Sequence, residues 1–167
     1  MATANKTRDL KRKLELANAL AAANNMVDNP IHNRLPQTSG KPKILIPKGF
    51  KRPVGEHSSK HATQIGVIIR LESPMQVEGW AKISDEIKDH LFRKLINKLS
   101  YDVEEPHVVH CIWMSFARQY FTFLLNALKY YQKMKAEGGV ALARQNVYSK
   151  LANRRDDWLW LCDFWET

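Results

Sequence analysis

The sequence has few of the residues that mark secreted, membrane-spanning or metal-binding proteins. Only two of its 167 residues are cysteines, Cys111 and Cys162, and both lie in segments rich in apolar and aromatic residues. Such a setting favours buried, reduced thiols over a disulfide framework. No apolar run approaches the roughly 18 residues that cross a bilayer, and the first residues lack the apolar core of a signal peptide. We therefore expect a soluble, intracellular protein with no membrane partner.

Acidic residues are scarce in the first third of the chain. Residues 1–60 contain 12 Lys/Arg and 4 Asp/Glu, whereas residues 61–167 contain 14 and 13. A basic segment attracts polyanions, and counterions are released when it neutralises phosphates. This asymmetry predicts nucleic acid as the leading partner. The alternative is a solvated basic tail with no partner of its own.

The chain is predicted to have two parts. Residues 1–42 read as a basic N-terminal helix over about 7–24, followed by a polar linker punctuated by prolines. Residues 43–167 read as a helical domain. Its first stretch, residues 43–54, has two extended pieces around a Lys48–Gly49 turn and predicts a short β-ribbon. The expected fold is mainly α: a small irregular helical bundle with a short β-ribbon and a basic, partly disordered N-terminal arm.

Capping residues and apolar spacing predict the helices. Ser58 and Ser84 each precede a helical pattern as N-caps, and Pro106 opens a long helix that Gly138–Gly139 interrupt. A further helix is expected over about 140–151. The last segment, 156–165, has aromatic residues on opposite sides, so we expect it to be buried on several sides or to bind a second copy. The aromatic residues predicted for such a homo-oligomer contact are Trp158, Trp160, Phe164 and Trp165.

Several short strings, in this order, resemble plant transposase-like proteins of the Ptta/En/Spm type. They are PKGFKRPV at 47–54, IGVIIR at 65–70 with Pro74 after it, GWAKISDEIK at 79–88, KLSYD at 98–102, the helix at 118–131 and DWLWLCDFW at 157–165. The resemblance spans about residues 43–165 and implies a helical, transposon-derived protein associated with DNA in a plant nucleus. Members of this family continue past the last tryptophan segment into a polar tail, so a truncated copy is one expectation.

The residues do not predict catalysis. DNA cutting by the common metal route needs acidic residues that converge on two cations, whereas the aspartates here lie on predicted helices or helix ends as caps and surface groups. His57 and His61 have the spacing of two ligands on one helix face, but no Cys-x-x-Cys pair accompanies them. The single Gly40–Lys41 step lacks the remainder of a phosphate loop. We expect no enzyme, no metal, no cofactor and no small-molecule substrate.

The best nucleic-acid candidates are basic residues of the arm, of the predicted ribbon and of otherwise polar helix faces. They are Lys11, Arg12, Lys13, Lys48, Lys51, Arg52, Arg118, Lys129, Lys133, Lys135, Arg154 and Arg155. The leading function is a non-catalytic DNA-binding module that recognises duplex DNA in the nucleus. One alternative is a protein-interaction or assembly module without nucleic-acid binding, and a weaker one is a nucleoprotein that coats RNA. A cytoplasmic location is the alternative to the nucleus.

Overall fold

The computed structural model describes residues 40–167, which form two compact units. The first unit comprises residues 40–65 and Phe92–Ser115, and the second comprises Gly66–Leu91 and Phe116–Thr167. Both are helical, which confirms the predicted mainly α class. The predicted N-terminal helix and the arm residues Lys11, Arg12 and Lys13 lie outside the described residues. The boundary predicted at residue 42 therefore stays a prediction.

Four α-helices account for most of the described chain. They are α1 at Ser58–Glu72, α2 at Asp85–Lys98, α3 at Pro106–Gln145 and α4 at Arg155–Glu166. Short 3-10 helices occupy Trp80–Lys82 and Ser149–Leu151. No helix in the described part of the chain is long and apolar enough to cross a membrane.

Local sequence signals explain where these helices begin and break. The backbone N–H of Ile87 donates to Oγ of Ser84 at 3.4 Å, so Ser84 caps α2 as predicted, and Asp85 and Glu86 occupy the first turn. Pro106 begins α3, where its missing N–H costs no hydrogen bond. The backbone of α3 leaves helical geometry at Gly138 and Gly139, as the sequence predicted.

The predicted β-ribbon is wrong, because residues 43–54 pair through single bridges and form no strand. Leu45 makes one antiparallel bridge with Val54, and Lys43 makes one parallel bridge with Ser100. Pro47 and Pro53 flank the Lys48–Gly49 turn. Neither proline has a backbone N–H to donate, so the pairing cannot extend along the segment.

Each unit has its own apolar core. In the first unit, the buried side chains come from residues 44–46, α1, α2 and the start of α3, and they include Ile44, Ile65, Phe92, Leu95, Ile112 and Trp113. In the second unit, aromatic rings dominate the core, and the largest buried ones are Phe116, Tyr120, Phe123, Tyr131 and Trp158.

Cys111 and Cys162 are buried free thiols. Burial raises the pKa of Cys162 to about 11, so this thiol is protonated at neutral pH.

Candidate nucleic-acid interface

Three of the predicted basic residues share the solvent-exposed face of α3 in the second unit. Arg118, Lys129 and Lys133 are all exposed. At about 100° per residue they fall within roughly 60° of one another around the helix axis, opposite the buried stripe of Tyr120 and Ala127. A rise of about 1.5 Å per residue separates Arg118 from Lys129 by about 16 Å and places Lys133 one turn further on. The face is therefore a straight basic stripe.

Between Arg118 and Lys133 the α3 face carries polar groups and no acidic residue. No Asp or Glu occurs between Pro106 and Ala136. Thr122 and Asn126 are exposed on the same face between the cations, and both side chains can hydrogen-bond to phosphates or base edges. The helix thus presents cations and hydrogen-bonding groups to solvent over about four turns.

Lys135 is committed to an ion pair within the second unit. Its Nζ lies 2.6 Å from Oε1 of Glu166, and the same carboxylate accepts a hydrogen bond from the hydroxyl of Tyr131. The bonds from Lys135 and Tyr131 lower the pKa of Glu166. Because Glu166 offsets its charge, Lys135 adds little to the basic stripe.

Arg154, predicted as a nucleic-acid contact, has a structural role that its sequence position does not reveal. Its guanidinium donates to Oδ2 of Asp157 at 2.7 Å, to the carbonyl of Arg70 at 3.1 Å and to the carbonyl of Ser73 at 2.6 Å. Three of its five N–H donors therefore fasten the start of α4 to the end of α1. The neighbouring Arg155 is exposed in the first turn of α4.

The remaining described candidates lie in the first unit. Lys48, Lys51 and Arg52 are exposed around the turn that the N–H of Phe50 closes on the carbonyl of Pro47 at 3.1 Å. They form a second basic patch on a short, proline-bounded loop. This patch and the α3 face belong to different units.

The aromatic residues predicted for oligomer contacts divide into buried and accessible ones. Trp158 is fully buried and donates its Nε1–H to the carbonyl of Ala143 at 3.0 Å, so its prediction as a contact for a second copy is wrong. Trp165 packs on the rings of Tyr131 and Trp158, at centroid distances of 5.3 and 5.9 Å. The rings of Trp160 and Phe164 stack on each other 5.3 Å apart, and both are half-buried.

An apolar groove of about 250 Å³ lies beside the basic stripe in the second unit. Phe121 and Leu125 from α3 line it together with Trp80 and with Phe164 from α4. Phe121 is 66% exposed and Leu125 is 37% exposed. The helical spacing of Phe121, Leu124, Leu125 and Leu128 is the sequence signal for this apolar groove.

A buried chain of hydrogen bonds in the first unit superficially resembles a catalytic group. The hydroxyl of Ser115 donates to the carbonyl of Cys111 at 2.7 Å, so its oxygen accepts from Nε2–H of His61 at 2.9 Å. Nδ1 of His61 then accepts from the hydroxyl of Tyr101 at 2.7 Å. Burial lowers the pKa of His61 to about 4 and raises that of Tyr101. The serine proton is bound to a backbone carbonyl and every member is buried, so the group fits a structural role.

Neither a search for metal-ligand clusters in residues 40–167 nor comparison with known proteins indicates a function. Among residues 40–167, no three His, Cys, Asp or Glu side chains are grouped so that they could hold a metal ion. The chain matches no known family model, no curated protein and no solved structure. The resemblance to transposase-like proteins therefore stays a prediction from the sequence.

Proposed function

We propose that this protein is a non-catalytic module that binds duplex DNA through the exposed face of α3. The observation that carries the proposal is the position of Arg118, Lys129 and Lys133 on one solvent face of a helix that has no carboxylate between Pro106 and Ala136. A row of exposed cations on a rigid helix can neutralise backbone phosphates at low entropic cost. The predicted kinship with transposon-derived plant proteins and a nuclear location agree with this role.

The polar residues of the same face give the helix a means of recognition. Thr122 and Asn126 lie between Arg118 and Lys129, and an α-helix fits the major groove of duplex DNA. Asn pairs well with adenine there, whereas the lysines contact the phosphates on either side. The loop cations Lys48, Lys51 and Arg52 are a separate candidate for phosphate contact within the first unit.

The salt dependence of duplex binding tests the proposal. The change is the double substitution Lys129→Gln/Lys133→Gln, and the matched control is Lys82→Gln/Lys98→Gln, which removes two exposed lysines from other elements. Each phosphate contact contributes about 0.9 to the slope of log K against log salt, so the α3 variant should lose about 2 from the slope. The control should keep the wild-type slope. Equal slopes in all three proteins, or no duplex binding by the wild type, would overturn the proposal.

The same titration with single-stranded DNA and with RNA separates the RNA-coating alternative from the proposal. A duplex-reading helix should bind duplex DNA more tightly than either single strand at equal salt. Tighter binding to RNA, with the same dependence on Lys129 and Lys133, would favour the nucleoprotein role instead.

The apolar groove supports a second candidate, a protein-interaction module. Phe121 exposes two thirds of its surface beside a groove lined by Leu124, Leu128 and Phe164, and apolar clusters of this kind mark contact sites. The test is sedimentation of the protein over a concentration series at high salt, which suppresses charge-driven association. Concentration-dependent assembly that Phe121→Gln abolishes and Phe50→Gln preserves would support this role; a monomer throughout would exclude self-assembly through this groove.

A further inference from the structure

The second unit contains a cationic cavity that shares no residue with the α3 face. It has a volume of about 530 Å³ and lies between the end of α1 and the turn before α4. Three of its lining residues are basic, Arg70, Lys150 and Arg154, and two more are polar, Ser149 and Asn153. None of the described residues that line it carries a carboxylate. We infer that this cavity is a binding site for a phosphate group.

The hydrogen bonds of Arg154 prepare the cavity for an anion. The C-terminal carbonyls of a helix carry partial negative charge and would repel a phosphate. Arg154 binds the carbonyls of Arg70 and Ser73, and the hydroxyl of Ser73 donates to the carbonyl of Ile69 at 2.5 Å. Two of the last four carbonyls of α1, those of Ile69 and Arg70, are therefore paired, and so is the carbonyl of Ser73 that follows them.

The same bonds hold the guanidinium of Arg154 in one position. Its Nε–H is bound to Asp157, whose other carboxylate oxygen accepts from Gln76 at 3.0 Å. Two N–H donors of Arg154 remain for a ligand, on a group that loses little further freedom when the ligand binds. Asp157 offsets one positive charge, which leaves the net charge of Arg70 and Lys150 at the cavity.

Arg70 and Lys150 supply the adjustable side of the site. Both side chains are exposed, so they can close on a ligand without displacing the core. An Arg presents a planar fork to phosphate oxygens and a Lys presents a point charge, and charge-assisted bonds of both kinds are stronger than neutral ones. The hydroxyl of Ser149 and the amide of Asn153 can donate to the remaining oxygens.

The experiment uses inorganic phosphate as the probe and the Arg70→Gln/Lys150→Gln double variant. Phosphate should raise the melting temperature of the wild type more than chloride does at equal ionic strength, because a ligand of the native state stabilises it. The double variant should bind phosphate at least about tenfold more weakly, since it loses two charge-assisted contacts. Lys82→Gln/Lys98→Gln, which also removes two exposed lysines, serves as the control and should respond like the wild type. No specific response to phosphate in the wild type, or an equal response in the double variant, would overturn the inference.

A second arm identifies the source of the phosphate. If the Arg70→Gln/Lys150→Gln variant binds duplex DNA more weakly than the wild type does, the cavity binds a phosphate of the nucleic-acid backbone. Unchanged duplex binding together with a lost phosphate response would assign it to a small phosphorylated ligand. The site shares no residue with the α3 face, so the phosphate measurement succeeds or fails independently of the proposed DNA binding.

Discussion

The hydroxyl of Tyr101 donates a hydrogen bond of 2.7 Å to Nδ1 of His61, and this bond joins the loop after α2 to α1 within the first unit. Only the neutral imidazole can accept it, because both ring nitrogens of a protonated histidine are donors. Nε2 of the same ring is already committed to Ser115. The interaction therefore requires that His61 remain uncharged.

Acid should destabilise the protein through His61. Burial lowers the pKa of His61 from 6.5 to about 4. Between these two values, His61 is protonated in the unfolded chain and neutral in the folded chain. The contribution of His61 to stability is complete above its pKa in the unfolded chain, and it is lost as the pH falls from about 6.5 towards 4. The free energy of unfolding should decrease by about 2 kcal/mol between pH 7 and pH 5 from this group alone.

Urea unfolding at a series of pH values measures the effect of His61. His61→Gln should be less stable than the wild type at neutral pH but should lose less stability between pH 7 and pH 5. His110→Gln, which alters an exposed histidine of the same unit, should keep the wild-type pH dependence. An identical pH dependence in all three proteins would show that His61 is not the titrating group.

Trp158 should be a stability residue with no part in assembly. The substitution Trp158→Phe leaves a void and removes the donor from the carbonyl of Ala143, and such a buried unpaired acceptor costs about 1–3 kcal/mol. Trp160→Phe is the matched control on the same helix, where the half-buried ring should lose less than about 1 kcal/mol. Chemical denaturation measures both. Similar losses for the two variants would contradict the assigned burial.

Local sequence signals predicted much of the helical structure because helix ends depend on nearby residues. Ser84, Pro106 and the Gly138–Gly139 pair all act within one turn of their own positions. The absence of the predicted β-ribbon at residues 43–54 also has a local cause, because Pro47 and Pro53 limit its pairing and both are visible in the sequence.

Long-range contacts account for what the sequence could not show. Arg154 reads as a free surface cation, but its partners Arg70 and Ser73 are 84 and 81 residues away. The cationic cavity likewise combines residues around positions 70 and 150, and no spacing rule connects them. The boundaries between the two units fall within α1, α2 and α3, where the helical pattern of the sequence continues. By contrast, the basic face of α3 was predictable, because Arg118, Lys129 and Lys133 share one helix and its period.

A lysine should not be able to replace the planar guanidinium of Arg154. Arg154→Lys keeps the charge but cannot reach Asp157 and the carbonyls of Arg70 and Ser73 at once. We expect a loss of about 2 kcal/mol in the free energy of unfolding, because at least one buried acceptor loses a charged partner. Arg155→Lys, at the next position, should change stability by less than about 0.5 kcal/mol. Thermal denaturation of the two variants distinguishes a structural Arg154 from one that only contributes charge.

The break in α3 should depend on Gly139. Its backbone angles, φ 83° and ψ −178°, lie in a region that is essentially restricted to glycine, and a side chain there is strained by about 1–3 kcal/mol. Gly139→Ala should therefore destabilise the second unit by that amount, although a Cβ at this position would meet no atom within 4 Å. Gly79→Ala is the control, because Gly79 has extended backbone angles and equally open space around its Cα. Urea unfolding should show a loss only for Gly139→Ala; equal stability of the two variants would mean that the break in α3 does not require a glycine.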